Sequence, residues 1–209
     1  MNVMLKHPAF HIDIATCTGC KTCMIACKDK NDLADGVKWR RVSEYAGGGW
    51  VQRNDNTLTQ DVFAYYISVA CNHCEEPICV SVCPTTAMHK DESGIVLVDA
   101  SKCIGCHYCE WACPYRAPQY NAAAGVMTKC NFCIDFQREG KPPACVAACP
   151  TRSLTFGEYE ALKKQFGESA LIAPLPDPAI TKPNLFVTPG RTAKPMGSAS
   201  GSIRNPEEV

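Results

Sequence analysis

The sequence predicts an α+β fold of short strands and short helices hung on cysteine loops. Three observations predict it. Sixteen cysteines stand in 209 residues and fall into four sets. The segments between the sets are brief, and several alternate apolar with polar residues, the period of a strand. Core-forming aliphatics are sparse beside 15 prolines and 14 glycines, so apolar burial alone does not fold this chain firmly.

The third set shows what replaces a large core. Cys103-Ile-Gly-Cys106-His-Tyr-Cys109-Glu-Trp-Ala-Cys113-Pro114 has the C-x2-C-x2-C-x3-C-P spacing that holds iron–sulfur clusters in bacterial ferredoxins. Three thiolates on one tight loop grip three irons of one cubane. The fourth, on the outgoing turn, points to a different cluster. A complementary run must therefore exist, and the chain has four sets in all. Metal ligation then supplies the missing cross-links, and the cluster-free chain is expected to be unfolded or molten.

Other uses of cysteine fit less well. Zinc sites pair two short Cys motifs across a dozen or more residues; here two sets place three ligands within seven residues. Disulfides need an oxidising compartment, and Met1 to Ile14 carries no apolar run of signal length. Arg40-Arg41 lies internally and reads as surface charge, not as a twin-arginine signal. No stretch approaches the roughly 20 apolar residues of a membrane span. The formal net charge is zero, which argues against a nucleic-acid partner. Four [4Fe-4S] clusters need sixteen thiolates and sixteen are present, leaving none for a nucleophile.

Taken in order, Phe10 to Ile14 alternates and reads as a half-buried strand leading into Cys17, Cys20, Cys23 and Cys27. Gly19 permits the tight turn there, and Lys28 stands where ferredoxins carry proline. Residues 29–60 hold no cysteine. Gly47 to Gly49 and Asn54 to Asn56 are turn signals, so this part reads as an insertion with a hairpin. Trp39, Tyr45 and Trp50 read as local packing. Val62 to Val69 is a strand, followed by Cys71, Cys74, Cys79 and Cys83-Pro84. A turn at Asp91 to Gly94 and a strand at Ile95 to Val98, with Ala87-Met88, form a hairpin before the third set. The fourth set is stretched: Cys130 and Cys133, a loop with Pro142-Pro143, then Cys145 and Cys149-Pro150. Ser153 to Phe156 alternates and could pair with Phe10 to Ile14. Glu158 to Phe166 forms a helix ended by Gly167. From Ala173 onward the chain is proline-rich without periodicity, and its composition reads as extended or disordered.

Two-cluster ferredoxin logic fixes the partners. Cys71, Cys74 and Cys79 take Cys113, while Cys103, Cys106 and Cys109 take Cys83. The remaining sets fold across the middle: Cys17, Cys20 and Cys23 take Cys149, and Cys130, Cys133 and Cys145 take Cys27. The fold is therefore α+β, with two intercalated bacterial-type 2[4Fe-4S] ferredoxin-like units, insertions and an extended C-terminal tail. Its segments are a first 4Fe-4S segment at 6–36, an insertion at 37–61, a second 4Fe-4S segment at 62–93, and a third at 94–123. A fourth, at 124–167, pairs with the first, and the tail covers 168–209. No catalytic residue is read. His73 and His107 read as polar loop residues. Arg116, close to Cys113, is a cation that favours the reduced cluster.

Beyond the cysteines, Cys17-Thr-Gly-Cys-Lys-Thr-Cys23, Glu44-Tyr-Ala-Gly-Gly48, Val62-Phe-Ala-Tyr-Tyr66, Cys71-Asn-His-Cys-Glu75, Ala117-Pro-Gln-Tyr-Asn121 and Ala173-Pro-Leu-Pro176 carry a nearly end-to-end likeness. The tail's Thr181-Lys-Pro-Asn184 and Asn205-Pro-Glu-Glu-Val209 continue it. The sequence resembles the iron–sulfur subunits of anaerobic dimethyl sulfoxide reductases, in the complex iron–sulfur molybdoenzyme family. The resemblance implies a heterotrimer. A molybdopterin catalytic subunit reduces the S- or N-oxide, an integral-membrane anchor subunit oxidises menaquinol, and this chain, peripheral on the cell membrane, relays electrons between them. It implies that the unit from the first and fourth sets faces the molybdenum subunit and the other unit faces the anchor. The Cys71, Cys74, Cys79 and Cys113 cluster would then be nearest quinol. By the resemblance, Cys106 stands where nitrate reductase relatives have tryptophan, and Arg116 stands where glycine is expected in close relatives. The equivalent subunit of a polysulfide, thiosulfate, tetrathionate or selenate reductase is the alternative. A free-standing soluble carrier or maturation factor is a second.

Overall fold

The computed structural model describes residues 5–209; Met1 to Met4, the beginning of the segment read for an export signal, lie outside the described residues. The first strand, β1 (Pro8–Asp13), keeps the alternation expected of it, yet five of its six residues are buried. Phe10 and Ile12 enter the main core, while Ala9 packs with Leu162 and Phe186 and His11 stacks on Phe166. Neither face is wet, because elements from the end of the sequence cover the second one.

After the first loop, α1 (Thr22–Lys30) runs nine residues. Then β2 (Arg41–Gly47), β3 (Trp50–Gln52), β4 (Leu58–Gln60) and β5 (Phe63–Val69) follow. The hairpin β3–β4 turns at Asn54 to Asn56, while β2 and β5 pair antiparallel from Arg41↔Val69 to Gly47↔Phe63. The expected insertion with its hairpin is present, and β2 is an additional strand that the sequence does not predict.

The middle of the chain is a double repeat. Helix α2 (Ile78–Ser81) leads to the hairpin β6 (Met88–Lys90) and β7 (Val96–Val98); α3 (Tyr108–Ala112) leads to the hairpin β8 (Gln119–Asn121) and β9 (Val126–Thr128). The last part carries α4 (Ile134–Arg138), α5 (Ala144–Ala147), β10 (Leu154–Glu158) and α6 (Tyr159–Phe166), with Gly167 at φ 74° closing α6. Helix lengths follow the residue after the fourth cysteine. A proline disfavours the helical region for the residue before it, and Cys113 is extended at φ −77°, ψ 115°. The three helices preceding Cys-Pro accordingly have four, five and four residues. Lys28 lets α1 continue, and its Nζ donates to Leu33 O at 2.9 Å and Ala34 O at 3.0 Å.

The tail is built into the sheets. β11 (Leu185–Thr188) pairs parallel to β1, which also pairs antiparallel to β10 through Phe10↔Phe156 and Ile12↔Leu154. β12 (Gly201–Ile203) joins the free edge of β2. Just ahead of β11, Glu75 N and Glu76 N donate to Lys182 O and Thr181 O, and Asn184 N donates to Asn72 O. The tail thus straps the second cysteine loop. A disordered tail does not describe this segment: its backbone groups find partners in both sheets and in that loop.

Candidate metal centres

Each cysteine set is held by the same backbone device. The residue before the second cysteine has positive φ in all four: Gly19 at 68°, His73 at 43°, Gly105 at 65° and Phe132 at 60°. At Gly19 a Cβ would lie 2.4–2.6 Å from the Tyr66 ring, and at Gly105 2.7 Å from Gly125 O, so both are closed to side chains. Three residues past the cysteine of each Cys-Pro pair, the backbone turns left-handed again: Thr86 at 55°, Arg116 at 49° and Arg152 at 58°. The turn aims later amides back at sulfur. Met88 N donates to Cys83 Sγ at 3.3 Å and Ala117 N to Cys113 Sγ at 3.5 Å. Met127 N donates to Cys103 Sγ at 3.3 Å and Phe132 N to Cys130 Sγ at 3.4 Å. Glycine is expected at Arg116 because of this left-handed turn.

The sulfurs assemble into quartets. Cys17, Cys20, Cys23 and Cys149 line one cavity. Cys83, Cys103, Cys106 and Cys109 line another with Met88 and Met127. Cys74 and Cys79 lie in the electrostatic reach of Cys71 and Cys113. Cys27 lies in that of Cys145 and Cys133, and Cys130 in that of Cys27 and Cys145. Cys27 thus sits with the fourth set while Cys149 sits with the first. Among the described residues, no three His, Cys, Asp or Glu side chains close on a single ion. The quartets instead surround a space.

They also stand in a row. Cys23 feels Cys145, linking the Cys17 quartet to the Cys27 quartet. Cys130 packs with Cys71 and Cys113, and Cys79 with Cys109, Cys83 and Cys103. The Cys71 quartet is therefore flanked on both sides, and the Cys83 quartet lies beyond it. The resemblance put the Cys71 cluster nearest quinol, whereas the packing sets this quartet between the Cys27 and Cys83 quartets.

The donors suit an anionic sulfur–iron core. Burial pushes the Cys27 and Cys74 thiols up to about 12, so the bare protein holds them protonated and cluster binding must release those protons. Burial also acts on Cys83 and Cys149, but amides of Met88 and Thr85, and of Leu154, with the hydroxyls of Thr85 and Thr151, bring both below the ordinary thiol value.

Two buried cations make the same point. Arg40 and Lys129 are 3% and 4% exposed. Arg40 leaves Nε and one terminal nitrogen without a partner, and the charges acting on it are those of Cys145, Cys23, Cys130 and Cys27. Among the described residues, Lys129 Nζ donates to the carbonyls of Val96 and Cys130. A buried charge needs a counter-charge, and an anionic thiolate-bound cluster in these spaces would supply it.

The Arg40-Arg41 pair is thus not surface charge. Arg41 is 8% exposed, and its guanidinium donates to Tyr115 O at 2.5 Å. It is also the cation that acts on Cys113, whereas Arg116 is exposed. His73 is a polar loop residue, as expected, but not an exposed one. It is wholly buried, Nδ1 accepts from Val96 N at 3.1 Å, and burial with Lys129 holds it neutral. His107 opens α3 and meets Glu110 Oε2 at 2.8 Å. Trp39 and Tyr45 pack inward through Thr128 and Ser198, but Trp50 is 73% exposed. Sequence reasoning missed Arg40, Lys129 and Ser68; their one signal is polarity inside segments of strand character.

Residues 62–159 match the family described as 4Fe-4S dicluster domain. The sequence is 53% identical over 206 residues to the B subunit of the anaerobic dimethyl sulfoxide reductase of Escherichia coli (strain K12), covering 99% of this chain and 100% of that one. This protein belongs to that B-subunit family. The Haemophilus influenzae member is 51% identical over 205 residues. A thiosulfate reductase electron transfer subunit of Salmonella typhi is 45% identical over 161 residues, covering 77% of this chain and 80% of that one. Membership carries the expected role of an electron-transfer subunit and the presence of 4Fe-4S clusters. Among the described residues no helix is long and apolar enough to cross a membrane.

Proposed function

We propose that the protein is the electron-transfer subunit of a membrane-bound anaerobic dimethyl sulfoxide reductase, in a heterotrimer with a molybdopterin catalytic subunit and a quinol-oxidising integral-membrane anchor. Four [4Fe-4S] clusters are held by Cys17/Cys20/Cys23/Cys149, Cys27/Cys130/Cys133/Cys145, Cys71/Cys74/Cys79/Cys113 and Cys83/Cys103/Cys106/Cys109, in two intercalated units. The observation that carries this reading is the three-plus-one sharing: each quartet draws three sulfurs from one set and one from its partner set. When bound, the clusters accept and pass single electrons. The protein's own residues fix their spacing, shield the inner pair from water and supply hydrogen bonds to sulfur.

The ends of the row suit transfer to other proteins. Cys20 is exposed, and Ile25, on the helix α1 that follows it, is 65% exposed. At the other end Ile104 on the Cys103 loop and Tyr108 and Trp111 on α3 are 65%, 52% and 74% exposed. Apolar and aromatic surface of this kind marks interfaces. The first end faces the catalytic subunit and the second faces the anchor, which keeps the protein peripheral on the membrane. Anaerobic purification through a tag on this subunit, from its native host, should recover both partners and quinol-dependent dimethyl sulfoxide reduction. Recovery of an iron-loaded monomer alone, or of a complex active only on polysulfide or thiosulfate, would overturn the assignment.

A further inference from the structure

Arg40 and Ser68 lie outside the cysteine sets and are joined to one of them. Ser68, on β5, is 1% exposed, and its Oγ lies 3.3 Å from Cys23 Sγ. One Arg40 terminal nitrogen donates to the same Oγ at 3.2 Å and to Ser68 O at 3.3 Å. The guanidinium is fixed from its other face, 4.6 Å above the Phe10 ring, and Phe10 stacks on Phe132 at 4.1 Å. With its oxygen occupied by Arg40, the Ser68 hydroxyl has its hydrogen free for sulfur, and the cation polarises that O–H.

We propose that Arg40 and Ser68 are positioning residues that set the midpoint potential of the cluster at Cys17, Cys20, Cys23 and Cys149, by aiming a polarised hydroxyl at Cys23 Sγ. This rests on the cluster reading above. A donor and a cation beside sulfur favour the more negative, reduced cluster, so both raise its potential. Arg40 also lies in the electrostatic reach of Cys27, Cys130 and Cys145, so its charge acts on the neighbouring cluster without the hydroxyl.

The test is redox-poised EPR on the intact, anaerobically purified complex, after iron analysis. Ser68→Ala should move one cluster's reduced-to-oxidised ratio about tenfold toward oxidised at fixed poise, a midpoint 59 mV lower for one electron. Ser68→Thr, which keeps the hydroxyl, should stay within about twofold of the parent. Arg40→Gln should lower that cluster and its neighbour, and in the Ser68→Ala background should lower the first by less than it does alone. If Arg40→Gln does not load iron, the Ser68 pair decides. An unmoved midpoint in Ser68→Ala, or equal shifts in Ser68→Ala and Ser68→Thr, would overturn the relay while leaving the clusters in place. Iron absent from the parent complex would instead overturn the cluster reading itself.

Discussion

Gly19→Ala should cost the protein its first cluster. Gly19 has φ 68°, and a Cβ there would approach three Tyr66 ring carbons at 2.4–2.6 Å. Left-handed backbone costs a non-glycine residue about 1–2 kcal/mol, and forcing atoms into a packed site adds about 1–3 kcal/mol. The sum, roughly 2–5 kcal/mol, falls on the loop carrying Cys17, Cys20 and Cys23. Gly36 is the control: it has φ 80° with nothing within 4 Å of its virtual Cβ. Gly36→Ala should therefore cost only the backbone part, about 1–2 kcal/mol. Iron analysis and thermal unfolding of the purified complex compare the two. Gly19→Ala should lose about a quarter of the iron, one cubane of four, while Gly36→Ala keeps it. If both variants held full iron and unfolded together, the steric argument would be refuted.

Arg116→Gly relieves a residue held at φ 49° and should stabilise the fold by about 1 kcal/mol; because Arg116 is exposed, the cluster at Cys113 should drop in potential by well under 59 mV. Redox titration beside calorimetry checks both signs, and a higher potential would contradict them. His11 is lowered below 6.5 by burial, against a smaller opposing effect of Asp13. Its neutral ring therefore supports the fold fully above pH 6.5, and that support is lost as pH falls below it. A pH series of melting midpoints should fall less steeply on acidification for His11→Gln than for the parent; parallel curves would contradict this. Asn184 donates from Nδ2 to His73 O at 2.7 Å and is 1% exposed. Asn184→Ala should cost about 1–3 kcal/mol by leaving that carbonyl unpaired, with iron loss confined to the Cys71 quartet; loss spread over all quartets would argue against a local strap.

The cysteine sets were legible because their spacing is a local rule: three ligands must come from one tight loop, whatever surrounds it. The β1–β10 pairing was legible too, since both strands alternate at matching length. Strand β2 was hidden by Arg40 and Arg41, whose charges point to water in a sequence and to buried cluster sites in the fold. β11 was hidden by context. Leu185-Phe186-Val187 is a continuous apolar triplet, buried throughout, as a strand covered on both faces must be. Prolines around it suggested disorder, yet these residues end extended segments that find partners more than a hundred positions away. His11 gave β1 the look of a half-wet strand, because its cover, Phe166 of α6, is remote in sequence.

The pairing of distant sets is tested most directly by the iron positions in an experimental map of the anaerobic complex. Four cubanes in a row should appear, with Cys27 bonded to the one that Cys130, Cys133 and Cys145 hold and Cys149 bonded to the one at Cys17. A map with Cys27 on the same cubane as Cys17, Cys20 and Cys23 would contradict the account.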